Sequence, residues 1–128
     1  MNEAKRTTLF GKWARAKWPE TFAFEAKIVK GPSMPYNAIK PHQIDRLFFV
    51  KHKKLFYKIS DFSPEQKPFD GFMLVGEAAY LVIFWYQSLG DRRFTMIDVD
   101  DWIKETQESD RKSLTYERSC QIGQCLEL

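Results

Sequence analysis

The sequence predicts an α/β domain, a central mixed β-sheet flanked by helices in one unit spanning residues 1–128. Three observations predict it. Segments with helical spacing of apolar residues interleave with short alternating ones. A nine-residue apolar run, Ala78 to Tyr86, reads as a central strand covered on both faces. The chain of 128 residues, 44% hydrophobic and 29% charged, is long enough for one core and too short for two enzymatic domains.

Residues 2–17 predict a basic helix. Leu9, Phe10, Trp13 and Ala14 fall on one side, and Lys5, Arg6, Lys12, Arg15 and Lys17 form the polar remainder. Pro19 ends it. Thr21 to Val29 alternates as a strand, with Phe22 and Phe24 two apart. Gly31-Pro32 breaks the strand, and Pro35 and Asn37 lie in a loop. Pro41 suits the first turn of a helix, where its missing N–H goes unneeded. That helix carries Ile44, Leu47 and Phe48 as its apolar stripe. Leu55 to Ser60 is a strand, and Asp61 to Lys67 a loop. Phe69 to Val75 and Ala78 to Tyr86 are expected as two strands of a hairpin, joined tightly at Gly76-Glu77. Phe94 to Ile97 is a short strand. Asp98 caps a helix holding Val99, Trp102 and Ile103. A last helical stretch covers Ser113 to Gln121, within a helical tail over 98–121.

Composition narrows the function classes. An apolar run of nine is half of what a membrane helix needs, so no membrane partner is expected. The N-terminus lacks the apolar segment of a secretory signal. Two cysteines, Cys120 and Cys125, with two distant histidines make neither a zinc module nor a disulfide scaffold, and a reducing cytoplasm is the default compartment. Residues 1–58 hold 13 Lys/Arg against 4 Asp/Glu, a balance of +9. Residues 59–128 hold 7 against 13, a balance of −6. A basic half on a small domain is a footprint for a polyanion. The cationic residues placed for DNA are Lys12, Arg15, Lys17, Lys30, Lys40, His42 and Lys58.

Three motifs carry chemistry. Glu25-Ala26-Lys27 lies on a strand, where side chains two apart share a face, so a carboxylate stands beside an ammonium. That pair suits metal-assisted phosphodiester cleavage, with the carboxylate on Mg²⁺ and the lysine polarising water and offsetting phosphate charge. A surface ion pair is the plain alternative. His42 and Gln43 occupy the first turn of a helix, whose N–H groups and dipole favour phosphate. Asp70, in Lys67-Pro68-Phe69-Asp70-Gly71, opens an apolar hairpin, where a carboxylate needs water, a hydrogen bond or a metal. No G-x-S-x-G, H-E-x-x-H, P-loop or G-x-G-x-x-G occurs.

Phe24-Glu25-Ala26-Lys27, then Ser33-Met34-Pro35-Tyr36, then His42-Gln43-Ile44, resembles the RecU-type Holliday junction resolvases of the PD-(D/E)xK nuclease superfamily. The resemblance is strongest over 24–47. It implies a restriction-endonuclease-like fold and a Mg²⁺- or Mn²⁺-dependent DNA endonuclease resolving branched DNA as a homodimer. The bacterial or phage-infected cytoplasm is the implied compartment. It assigns metal binding to Glu25, catalysis to Lys27 and support of the site to Gln43. The family sets a metal-binding Asp upstream of the Glu, but here no Asp precedes Asp45. Asp70 is therefore the expected second acid, with the Ala26 carbonyl as a third oxygen; Glu20 and Asp61 are the substitutes. Lys-Pro-Phe-Asp also looks like an element of small phage-type resolvase-like proteins. Two other readings compete: a DNA-binding protein on the same scaffold without cleavage, and a protein-interaction module without chemistry.

Overall fold

The computed structural model describes residues 2–18, 20–60 and 67–128. Pro19 and Asp61 lie outside them. The chain forms a four-stranded mixed sheet, two small two-stranded sheets and, among the described residues, four α-helices.

Helix α1 (Glu3–Lys17) starts where Asn2 accepts a hydrogen bond from the Lys5 N–H at 2.9 Å. Strand β1 (Phe22–Val29) follows, then a short strand β2 (Ser33–Pro35) where the sequence reads as loop. A 3₁₀ turn over Tyr36–Ala38 leads into α2 (Pro41–His52), with Pro41 in its first turn as expected. Strands β3 (Lys54–Lys58), β4 (Gly71–Val75), β5 (Ala78–Trp85) and β6 (Arg93–Asp98) come next. Asp98 then caps α3 (Val99–Glu108) by accepting from the Asp100 N–H. The expected final helix is shorter: Ser113–Thr115 is strand β7, paired antiparallel to β2, and α4 covers Tyr116–Ile122. Strand β8 (Gln124–Glu127) was not legible from its four residues.

The main sheet runs β1-β5-β6-β8, with β1 parallel to β5 and the other pairs antiparallel. A parallel neighbour demands a crossover, and the connection from β1 to β5 carries α2. The nine-residue apolar run behaves as expected. Leu81 through Trp85 are all fully buried, with Leu81, Ile83 and Trp85 in the core on one face and Val82 and Phe84 in the core on the other. Helix α1 covers the second face through Phe10, Trp13 and Ala14, against Phe24, Phe84 and Phe94. Helices α2 and α3 cover the first through Leu47, Val50, Val99 and Trp102.

The expected hairpin between Phe69–Val75 and the apolar run does not form. β4 pairs antiparallel with β3 instead, from Lys58 opposite Gly71 to Lys54 opposite Val75. The physical reason is burial. A strand apolar on every position is best satisfied between β1 and β6, whereas β4 keeps Phe72, Met73 and Val75 exposed and buries only part of itself. Gly76 adopts φ +64°, the left-handed region, and the Glu77 N–H donates to the Val50 carbonyl at 3.0 Å, which turns the chain from one sheet to the other. Gly71 is required for a different reason: a Cβ there would meet the Tyr57 carbonyl at 2.6 Å. The cysteines also differ from expectation. Cys120 and Cys125 are bonded as a disulfide, because the turn between α4 and β8 brings their Cα atoms to 5.2 Å, inside the range a disulfide spans. Among the described residues, no helix is long and apolar enough to cross a membrane.

Candidate active site

Strand alternation sorts β1 into two faces. Phe22, Phe24, Ala26 and Ile28 pack beneath α1, while Ala23 and Val29 join the core beneath α2. Glu25 and Lys27 share the α2 face by the same parity. Their side chains are 31% and 25% exposed, with Lys27 Nζ 3.8 Å from Glu25 Oε1. β1 is an edge strand of the main sheet, which is why a charged pair can sit on it beside Leu81 and Ile83 of the buried neighbour.

Gln43 completes the group. Its Nε2 donates to Glu25 Oε1 at 2.8 Å, and its Oε1 accepts the Lys40 N–H at 2.9 Å. A backbone N–H can only meet the amide oxygen, and a carboxylate can only meet the amide nitrogen, so the two partners fix the orientation of the amide. Gln43 therefore caps α2 and aims Glu25 with one side chain. Lys40 and His42 stand beside it at the helix start, both exposed.

Asp70 makes no hydrogen bond or ion pair with this trio. The β3–β4 hairpin packs Leu55 and Leu74 against the α2-side core, on the same side of the main sheet as Glu25. Its loop end carries Asp70, whose carboxylate is 93% exposed and pairs with Lys67 at 3.2 Å. Among the described residues no group of three or more His, Cys, Asp or Glu could hold a metal. The chemistry of the donors present fits a magnesium ion in part: one or two carboxylates suffice when water and phosphate fill the other positions, and the assembled site supplies Glu25. The Ala26 carbonyl lies on the outer edge of β1. Ile28 turns its N–H outward to Glu3 Oε2 at 3.2 Å, and the two-residue repeat turns Ala26 the same way. Glu20 is exposed and outside the trio.

The expected cationic residues divide between two surfaces. Lys12, Arg15 and Lys17 are exposed on α1, across the sheet from Glu25 and Lys27. Lys40 and His42 lie at the site, and Lys30 and Lys58 are exposed beyond the end of β1 and on β3.

A cleft of about 410 Å³ opens against Glu25 and Gln43. Glu25, His42, Gln43 and Arg46 form one wall. Tyr57 and Phe72 form the other, above Leu55 and Leu74. The sequence reading missed Arg46, Tyr57 and Phe72. Arg46 had a signal, since it follows Gln43 by three positions on a helix and shares its side. The aromatic pair had none, because it depends on the pairing of β3 with β4.

A second charged group sits at the other end of α2. Lys51 Nζ reaches Asp98 at 2.7 Å and Asp100 at 2.7 Å, and His52 Nε2 lies 2.8 Å from Asp100. Burial alone would lower the Lys51 pKa, but the hydrogen bonds to Asp100 and Asp98 outweigh it and raise it. This cluster ties α2 to the start of α3, and so steadies the helix that carries Gln43.

Neither a protein family, nor a curated protein, nor a solved structure matches this chain.

Proposed function

We propose that the protein is a Mg²⁺- or Mn²⁺-dependent DNA endonuclease of restriction-endonuclease-like type, acting on branched DNA as a homodimer. One observation carries the reading: Glu25 and Lys27 share a face of the edge strand, and Gln43 from the following helix donates to Glu25. These are the three residues that the resemblance to the resolvases nominates. Divalent-metal binding falls to Glu25, with the Ala26 carbonyl as a further oxygen donor, and Asp70 joins them only if its exposed carboxylate leaves Lys67. A metal bound there would supply charge stabilisation to the phosphate and a more acidic water.

The chain's own residues supply the rest. Gln43 holds Glu25 in one orientation. The Lys27 ammonium, beside Glu25, holds the attacking water and meets the charge that develops on the phosphate oxygens. His42 and Arg46 on the cleft, with Lys40 exposed at the start of α2, give phosphate contacts. The homodimer is part of the proposal because resolving a junction needs two cuts, hence two sites.

A second reading is a DNA-binding protein that does not cut, and one observation favours it: Asp70 is turned to solvent and paired with Lys67. A cleavage assay on linear, flapped and four-way DNA with Mg²⁺ or Mn²⁺ separates the two. The endonuclease reading expects metal-dependent cuts in a branched substrate, abolished by chelation. Salt-sensitive binding to all three DNAs with no cut under either metal would establish the second reading instead.

A further inference from the structure

The cleft beside Glu25 has two unlike walls. One is ionic and amide: Glu25, Gln43 and Arg46. The other is aromatic. Tyr57 and Phe72 are cross-strand partners whose rings stack at 5.4 Å between centroids and 25° between planes. They stay 59% and 41% exposed although they sit beside half-buried Leu55 and Leu74, which pack against the core. Aromatic rings left in water beside a charged wall mark a binding surface. Cross-strand packing explains why the two rings touch each other, and among the described residues it leaves their outer surface without a partner of the same kind.

We infer that this aromatic pair stacks an unpaired nucleobase next to the phosphate presented to Glu25 and Lys27, so that the substrate has a single-stranded nucleotide at the cut. The inference rests on the endonuclease reading and narrows its substrate. Three features select this occupant. A flat aromatic surface offers stacking, which every base accepts, and few directional groups that would read a sequence. The opposite wall brings Arg46, with His42 beside it, as a charge complement to the phosphate on the same nucleotide. The cleft's 410 Å³ lies in the ~300–1,000 Å³ range of small-ligand sites and is far too small for a duplex. A base within a duplex has its faces covered by its neighbours, so only an unpaired or extruded base can use the rings.

The test uses oligonucleotides carrying 2-aminopurine, whose fluorescence is quenched on stacking. One probe holds it at the unpaired nucleotide of a flap junction, the other within a linear duplex. Binding is measured in calcium, so that the DNA stays intact. The flap probe should be quenched on binding and the duplex probe should not. Tyr57→Ala and Phe72→Ala should each lose the quenching and weaken flap binding about tenfold, within the roughly 5- to 150-fold span expected for one lost stacked base. Their duplex binding should stay within about twofold of wild type. Tyr57→Phe keeps the ring and should behave as wild type, which controls for misfolding of the hairpin. An unquenched flap probe, or equal weakening of flap and duplex binding, would overturn the inference. Cleavage of the same flap in magnesium is scored separately. Cutting without quenching retains the endonuclease and discards the stacking site; quenching without cutting retains the stacking site and discards the endonuclease.

Discussion

Replacing Gln43 with alanine tests whether this side chain organises the site or merely caps a helix. The substitution deletes two hydrogen bonds, the one to Glu25 at 2.8 Å and the one from the Lys40 N–H at 2.9 Å. A bond to a charged group contributes ~1.5–3 kcal/mol and a neutral one ~0.5–1.5 kcal/mol. Glu25 is 31% exposed and regains water when its partner goes, and the Lys40 N–H is exposed too, so the low end applies. The expected loss of stability is about 2 kcal/mol, read from thermal or denaturant unfolding without divalent cations. The larger effect falls on metal binding. A lost outer partner of a ligating side chain lowers metal affinity ~10- to 100-fold, and a Mn²⁺ titration by calorimetry should show a shift of that size. Gln43→Glu gives a second arm. It sets two carboxylates against each other, so it should destabilise the metal-free protein more than alanine does and recover on adding Mn²⁺. If Gln43→Ala unfolds earlier but binds Mn²⁺ as wild type does, Gln43 is a cap and nothing more, and its role in the site is wrong.

Three further outcomes follow from the geometry. DNA affinity should fall steeply between low and moderate salt, and Lys40→Ala with Arg46→Ala, both exposed on the site's side of the sheet, should weaken all sequences alike; a salt-independent affinity would remove the phosphate contacts from the account. Asp70→Asn should change unfolding stability by less than ~1 kcal/mol, since an exposed pair with Lys67 contributes little, yet it should abolish cleavage if Asp70 is the second acid. Full cleavage by Asp70→Asn would send the search for that acid to Glu20 or Asp61. Asp91 offers a test of pH dependence away from the site. Hydrogen bonds from Arg93 first, and from the Gln87 and Arg93 backbone N–H groups, hold its carboxyl well below the usual carboxylate range despite burial. A depressed native pKa stabilises the fold above the ordinary Asp value of about 4, and that stability is lost as pH falls below it. The denaturation midpoint of wild type should therefore drop more steeply below about pH 4 than that of Asp91→Asn. Parallel curves would count against the assignment.

Much of the fold was legible because it rests on local pattern. The run from Ala78 to Tyr86 leaves no polar position for solvent, so it had to be central. Pro41 and Asp98 mark the starts of α2 and α3 by backbone chemistry that any sheet topology would keep. The Glu25–Lys27 pairing follows from strand parity alone. What stayed hidden depends on partners distant in sequence. Val75 and Ala78 are three residues apart but belong to different sheets, and only competition for the sheet centre decides that. Strand β2 exists because Leu114 lies opposite Met34, a pairing across 80 residues. Tyr57 and Phe72 became a cleft wall through the same kind of pairing. The contact of Gln43 with Glu25 entered through the family resemblance, and no spacing rule predicts it.

Single-turnover cleavage by Lys27→Ala tests the central claim most directly, because it separates the chemistry of this site from its binding. The measurement uses a branched DNA, saturating protein and Mn²⁺, with DNA and metal affinity measured on the same preparation. The account predicts that Lys27→Ala binds DNA and Mn²⁺ within a few-fold of wild type and cuts at least ~10²-fold more slowly, the usual scale for losing one group that stabilises charge in the transition state. A Lys27→Ala protein that cuts at the wild-type rate would contradict it, and would reduce Glu25 and Lys27 to an ion pair on an edge strand.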